Sequence, residues 1–412
     1  MKVLLVLAPN PVLAEPLMQA PLGILYVAAS LEKAGHQVEI LDLRDRKIAE
    51  DVYIPEADFY GFTATTPEYP FALKMANYVK AIYPNAKTII GGSHPTHLPQ
   101  TCLDDGFDYV VVGDGEYAVN AIVEGKVPKG IVQFPPIMDL DTVPFPARHL
   151  LPRERVFTEE LYVGSRCGKG PPSTSIMSSR GCPYSCHFCA NPPPRLARMR
   201  SPENFVKEVE QLINVYNCSH YKIVDDNFTL NKKRLLKICD LLKPLNIEFR
   251  AHGRSQLFNR EIANALYQAG CREFSFGVEV ADNYVLYKLH KQETVEQHKK
   301  AIKIAKEAGL RVKVYLMCCL PYETWETIEK NKQFMIETQP DKWTLSTFVP
   351  YPGSYIYSHP EEFDITWMEK DWNKYWLYEN QSMIATTVVT KEELTEHRNH
   401  LYAWLLSEQW KH

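Results

Sequence analysis

Over the first 125 residues, short apolar runs alternate with amphipathic stretches. Residues 3–7, Val-Leu-Leu-Val-Leu, form a continuous apolar run, the pattern of a strand buried on both faces. A Pro-rich loop follows, then a helical pattern over 21–34 that Gly35 can close. The pattern predicts strands over 38–43, 59–65, 87–90 and 109–112, and helices over 71–82 and 117–123. Five strands with intervening helices predict a doubly wound parallel sheet, which binds ligands beyond the carboxyl ends of its strands. Those ends carry residues 8–10, 63–66, 91–94 and 113–116.

From 126 to 172 the periodicity fades into Pro-rich sequence with many apolar residues, a connector expected to pack and not to swing. A second alternating region runs from 173 to 355. It predicts strands at 175–178, 221–224, 247–251, 273–278, 312–317 and 343–348, and helices at 205–216, 232–242, 261–269, 294–308 and 324–338. Six βα units are too few for a closed eight-unit barrel, so a partial, open (β/α)6 barrel is expected. Residues 356–412, rich in Trp and Tyr, read as a small helical appendage. The class is α/β throughout.

Composition adds few constraints. A chain of 412 residues with 45% hydrophobic and 23% charged residues is an ordinary globular protein with room for two or three domains. A net charge of −4 shows no polyanion-binding surface, so nucleic acid is not an expected partner. Basic clusters such as Arg195, Arg198 and Arg200 read as local solvated faces. The apolar run at 3–7 is too short to cross a bilayer, and no later stretch stays apolar for about 18 residues. No transmembrane segment and a cytoplasmic location are therefore expected. The ten cysteines lie at 102, 167, 182, 186, 189, 218, 239, 271, 318 and 319. In such a chain a tight cysteine cluster speaks for metal or redox chemistry before disulfides.

Residues 178–191 read Ser-Ser-Arg-Gly-Cys-Pro-Tyr-Ser-Cys-His-Phe-Cys-Ala-Asn, with Cys182, Cys186 and Cys189 spaced Cys-x3-Cys-x2-Cys after an apolar strand. Three thiolates on one loop can hold three corners of a cubane cluster and leave one iron open. Structural zinc usually takes four ligands from two separated pairs, and here no fourth cysteine lies near. Zinc and buried structural thiols are the alternatives. His187, between two of the cysteines, is expected to point away from the loop.

This loop resembles the signature of the radical S-adenosylmethionine (SAM) superfamily. The resemblance implies a [4Fe-4S] cluster on Cys182, Cys186 and Cys189, with SAM chelating the open iron and cleaved reductively to a 5′-deoxyadenosyl radical. It places Phe188 beside the adenine. Val224-Asp225-Asp226-Asn227-Phe228, the strand tip 250–254 ending at Arg254, and Phe276-Gly277-Val278-Glu279 followed by Leu286 and Lys291 resemble further elements of the family. They make Asp225, Asp226, Arg254 and Glu279 candidates for the SAM site. Helix capping and salt bridging are the competing roles of the carboxylates. Val280 stands where the family has Ser. In Leu320-Pro321-Tyr322-Glu323-Thr324, Cys319 and Tyr322 replace the family's two glycines. Pro350-Tyr351-Pro352-Gly353-Ser354 resembles the closing element. Cys318 and Cys319 could serve a second cluster, but they read first as packing residues at a strand end.

The front half resembles the cobalamin (B12)-binding, Rossmann-like domain that precedes the radical core in one subclass. Pro21-Leu22-Gly23-Ile24-Leu25-Tyr26, Gly91-Gly92-Ser93-His94-Pro95-Thr96, Gly113-Asp114-Gly115-Glu116 and the connector Pro144-Phe145-Pro146-Ala147-Arg148 carry the likeness. It implies cobalamin against Thr63, Thr65, Gly91, Gly92, Gly113 and Glu116. The Asp-x-His-x-x-Gly motif that supplies an axial histidine elsewhere is absent, and His94 and His97 read as loop residues, not cobalt ligands. The implied activity is cobalamin-dependent C-methyl transfer to an unactivated carbon of a small molecule or peptide, with an external flavodoxin- or ferredoxin-type electron donor. A radical cyclase or rearrangement enzyme on the same scaffold is the alternative within the class. An Fe–S electron carrier or scaffold is the alternative outside it.

Overall fold

The computed structural model describes residues 1–10, 15–46, 52–158, 172–192 and 195–411. Among these, the chain forms two compact units, the first up to Ser175 and the second from Ile176 onward. Part of the expected connector, with Cys167, lies outside the described residues.

The first unit is built on β1 (Lys2–Leu7), β2 (Gln37–Asp42), β3 (Phe59–Thr63), β4 (Lys87–Gly91), β5 (Tyr109–Val112) and β6 (Gly130–Gln133). All pair in parallel, in the order β2-β1-β3-β4-β5-β6. Val3, Leu4, Leu5 and Val6 are buried, as the continuous apolar run requires. The direction of the crossovers reverses between β1 and β3, which sets the ligand crevice at the ends of those strands. The sheet has six strands where five were expected. The sixth, four residues of the Pro-rich stretch, is too short to register as a periodic run.

The described part of that stretch packs on the first unit. Ile137, Leu140, Val143, Ala147, Leu151, Val156 and Phe157 are buried. Ala147 N–H donates to the Leu25 carbonyl at 3.0 Å, and Ile137 N–H to Asp114 Oδ2 at 2.9 Å.

β7 (Ser173–Ile176) has only Ile176 in the second unit, where β8 (Ser179–Arg180) pairs antiparallel with β9 (Arg198–Met199) around the cysteine loop. The main sheet continues through β10 (His220–Ile223), β11 (Glu248–Gly253), β12 (Cys271–Glu279), β13 (Arg311–Cys318) and β14 (Lys342–Thr347). Its order, β14-β13-β12-β11-β10-β7, is the open partial barrel with each strand beside its predecessor. Helices Pro202–Tyr216, Lys232–Leu242, Arg260–Gln268, Val295–Glu307 and Trp325–Thr338 connect them. Each starts where the sequence offers a cap: Ser201, Asn231, Asn259, Thr294 and Thr324 accept from backbone N–H groups of the first turn.

The C-terminal region holds the helix Lys391–Leu406 and, in addition, an antiparallel ribbon of β15 (Ile365–Met368) and β16 (Ile384–Thr386). Cys319 (φ +62°) and Tyr322 (φ +67°) both adopt left-handed backbone. Glycine does so freely, so these two departures from the family pattern fall where a side chain carries a conformational cost.

Candidate active site

In the second unit, the ends of β7, β10, β11 and β12 bring most of the sequence-predicted residues together. The cysteine loop is tied at its root. Asp225, at the end of β10, accepts from Ser178 N–H at 2.6 Å, Ser178 Oγ at 2.5 Å and Ser179 Oγ at 2.6 Å, and is 1% exposed. Asp226 accepts from Gly181 N–H. Its side chain is exposed, yet surrounding atoms desolvate it enough to raise its carboxyl pKa; the adjacent Asp225 raises it further. The carboxylate pair thus holds the approach to Cys182, and Asp225 acts through that root.

Gly181 has φ +81°, and a Cβ there would lie 2.2 Å from the Leu196 carbonyl oxygen. Backbone cannot yield that distance, so Gly181→Ala must displace the β8–β9 ribbon. A loss of at least about 2 kcal/mol is expected, combining the left-handed cost with the clash. Thermal denaturation of the purified variant, with its iron content, checks this; an unchanged melting temperature would refute it.

Past the root, Asn191 Nδ2 donates to the Cys182 carbonyl at 3.1 Å. Arg195 donates to the carbonyls of Tyr184 at 2.7 Å and Cys189 at 3.0 Å. Asn191 carried no signal in the sequence, and Arg195 read there as part of a solvated basic face, because the backbone carbonyls they bind are anonymous in one dimension. His187 points away from the thiols, stacked on His290 at 4.9 Å and packed on Tyr355 at 4.7 Å. All three cysteines are free thiols. Burial raises the pKa of Cys182 and Cys189, and the nearby charge of Cys186 adds to it. Arg254 opposes the shift at Cys182 and Arg195 at Cys189.

Arg254 donates to Cys186 Sγ at 3.4 Å and to the Lys291 carbonyl, and its guanidinium lies 3.9 Å from the centre of the Tyr184 ring. Lys291 pairs with Glu279 at 3.1 Å and with Glu293 at 3.5 Å, and sits 5.9 Å from the Phe188 ring centre. Glu279 reaches this position through φ +64° and a register irregularity of β12 between Gly277 and Glu279. A side chain at 277 would meet Glu279 Oε1 at 2.5 Å, which explains the glycine. Strain of this kind gathers at functional sites. Val280 is fully buried, so position 280 offers no polar group.

This donor set fits an iron–sulfur cluster. Among the described residues no three His, Cys, Asp or Glu side chains are close enough to hold a metal ion. In a cubane each thiolate binds its own iron, so its corners stand farther apart than ligands of one ion. Arg254 sets positive charge against the Cys186 thiol while also pairing with Glu293 at 3.4 Å, and Lys291 is paired with Glu279 and Glu293.

In the first unit, Thr63 and Gly91 end neighbouring strands, and Gly92 (φ +106°) turns so tightly that a Cβ would meet the Ala64 carbonyl at 2.7 Å and Thr63 Oγ1 at 2.9 Å. Thr65 binds Glu68 through its N–H at 2.9 Å and its hydroxyl at 2.7 Å. Gly113 (φ +85°) has open space around its Cβ position, and its N–H donates to Thr96 Oγ1 at 3.1 Å. Glu116 is buried in the first turn of helix Gly115–Val123, away from solvent. Gly91, Gly92 and Gly113 put no side chain at these strand ends. His94 is turned inward, stacked on Tyr69 at 4.2 Å and hydrogen-bonded to Thr66 Oγ1 at 3.3 Å. The unit therefore fits a corrin without an axial ligand from His94.

Burial lowers the pKa of His94 to about 4. The unfolded chain takes up this proton near pH 6.5 and the folded chain only near 4, so stability falls as the pH drops through that window. About 2 kcal/mol is expected to be lost between pH 6.5 and 5 from this group. In His94→Gln that slope should flatten, as followed by urea unfolding at both pH values.

Residues 176–335 match the family model for the radical SAM superfamily, and residues 17–123 match that for the B12 binding domain. The chain belongs to the radical SAM superfamily, in the group that joins a B12-binding domain to the radical domain, and it is an enzyme. An uncharacterized methyltransferase of Pyrococcus horikoshii is 30% identical, over 91% of this chain and 86% of the relative. The anaerobic magnesium-protoporphyrin IX monomethyl ester cyclase of Rubrivivax gelatinosus is 26% identical, over 82% and 65%. Among solved structures, the radical SAM methyltransferase TsrM of Kitasatospora setae shares the fold, with TM-score 0.66, 19% identity and coverage of 86% and 73%. The cofactors of the two domains are a [4Fe-4S] cluster, SAM and cobalamin. No helix of the described residues is long and apolar enough to cross a membrane.

Proposed function

We propose that the protein is a cobalamin-dependent radical C-methyltransferase whose cluster is held by Cys182, Cys186 and Cys189. The supporting observation is the loop of three free thiols with Arg254 against Cys186 and the strained Glu279–Lys291 pair beside it. When bound, the cluster and SAM supply a carbon radical by reductive sulfonium cleavage, and cobalamin supplies a transferable methyl group. Phe188 offers a flat apolar surface to the adenine, and Lys291 and Glu279 offer opposite charges for the polar ends of SAM. Arg254 offsets thiolate charge, and Asp226 lines the mouth. Thr63, Thr65, Gly91, Gly92 and Gly113 shape the corrin site, with Glu116 supporting it from beneath.

The substrate is a small molecule or peptide, the electron donor a flavodoxin- or ferredoxin-type protein, and the location cytoplasmic. In domain terms, residues 1–125 carry cobalamin, 126–172 connect, 173–355 carry the radical chemistry and 356–412 append to it. A cyclisation without methyl transfer is the second reading, favoured by the cyclase relative. Anaerobic reconstitution with iron, sulfide and hydroxocobalamin, then desalting, tests the first. Retained corrin bands together with 5′-deoxyadenosine formed on reduction with SAM support it. Cleavage without corrin would remove the methyltransferase reading, and no cleavage would remove both.

A further inference from the structure

The inward face of the partial barrel carries an unusual set of charges below the cysteine loop. Along β10 to β13, apolar residues alternate with polar ones. The apolar set, including Tyr221, Phe249, Phe274, Val312 and Val314, is buried. In a half-barrel wrapped by helices the other face lines the interior. Register aligns Lys222 with Arg250, and Arg250 with Glu273; the next rung aligns His252 with Ser275, Ser275 with Lys313 and Lys313 with Lys342.

Arg250, Lys313 and Lys342 thus act on one carboxylate, Glu273, whose register partner is Arg311, and Lys222 lies one strand further out beside Arg250. Glu273 is 1% exposed; it lies 2.8 Å from Lys342 Nζ and 3.9 Å from Arg250. A rung lower, Glu248 is taken by Arg272 at 3.0 Å and lies 3.6 Å from His220. Arg250 Nε is buried without a hydrogen-bond partner, and Lys222 has neither a hydrogen bond nor an ion pair among the described residues. Burial, then the charges of Arg250 and Lys313, lower the pKa of Lys222 to about 8. Desolvated like charges left uncompensated disfavour folding, and a sequence keeps them where a ligand completes them.

We propose that this layer is an oxyanion subsite: the substrate carries a carboxylate or phosphate group that Lys222, Arg250 and Lys313 receive, with His252 and Tyr315 as neutral hydrogen-bonding groups above it. Lys222 and Arg250 lie four strand residues below Asp226 and Arg254, and the Ser275–Lys313 rung lies four below Glu279, which is about 13 Å at roughly 3.3 Å per residue. The substrate is therefore elongated, with its reacting carbon about that far from its anionic end. This last point rests on the radical reading of the loop; the anion site itself does not.

The test uses the full-length, cluster-reconstituted protein under anaerobic conditions. Melting temperature is measured in inorganic phosphate, in succinate and in chloride at matched ionic strength, for wild type, Lys222→Met, Lys313→Met and Lys222→Arg. A rise of several degrees in phosphate or succinate over chloride is expected for wild type. It should vanish in both Met variants and return in Lys222→Arg, and the more effective anion assigns the substrate's group. A second Met variant guards against one that fails to fold. Equal rises in wild type and both Met variants, or no rise in wild type, would overturn the proposal. SAM cleavage by the same wild-type preparation is scored separately, so failure of the radical reading is distinguishable from failure of the anion site.

Discussion

Cys186→Ala is expected to lose the cluster altogether, with iron falling from about four per chain to near zero and no 5′-deoxyadenosine formed. Cys186 is the most enclosed of the three loop thiols, and it lies within 3.4 Å of a guanidinium that is itself 7% exposed. A thiolate there is matched by charge already in place. Alanine leaves Arg254 facing an apolar methyl and removes one corner of a three-point attachment, and two corners on a mobile cubane do not hold it. The contrast is Cys318→Ala. Cys318 is buried at the end of β13, and burial pushes its thiol pKa well above the ordinary value. Such a thiol is a poor ligand and a good packing group. Its loss should leave iron unchanged and cost about 1 kcal/mol or more through the small cavity. Iron and sulfide assays on the two variants, prepared side by side, decide it. Equal retention in both would remove the assignment of the loop.

What the sequence disclosed and what it hid follow from the range of the interactions. The cysteine spacing, the glycines at 91–92 and 181, and the strand–helix alternation are local patterns, and local patterns survive in one dimension. The helix boundaries were legible because Asn231, Thr294 and Thr324 cap within three residues of themselves. Roles that depend on partners far away in the chain were not. Asp225 could have faced a cofactor or a backbone; the donors it accepts from lie 46 and 47 residues earlier, and nothing near it in sequence indicates them. Lys291 and Arg254 meet through a backbone carbonyl 37 residues distant. The cationic rungs were hidden by register, since one or two basic residues per strand are unremarkable until parallel pairing sets Lys222 beside Arg250 and Lys313 beside Lys342 on either side of β12. The C-terminal ribbon escaped for another reason: three- and four-residue strands carry too few alternations to outweigh an aromatic-rich composition.

Asp225 gives the sharpest test of whether a carboxylate at the barrel end touches cofactor or holds the loop. Asp225→Ala strands the Ser178 N–H and two hydroxyls in a buried site. Charge-assisted hydrogen bonds to a buried carboxylate contribute about 1.5–3 kcal/mol each and are not additive, so a loss of about 4 kcal/mol is expected. For a unit of this size that lowers the melting temperature by roughly 8–16 °C. Asp225→Asn keeps one oxygen for the Ser178 N–H and turns an amide toward hydroxyls that can rotate to accept, so it should retain most of the stability. If Asp225 is a positioning residue, iron retention follows stability: nearly intact in Asn, lost in Ala. Direct contact with SAM gives a different signature, in which Asn keeps both melting temperature and iron but weakens SAM binding by tenfold or more. The three short hydrogen bonds into the loop root, with no carboxylate oxygen left over, argue for the first outcome.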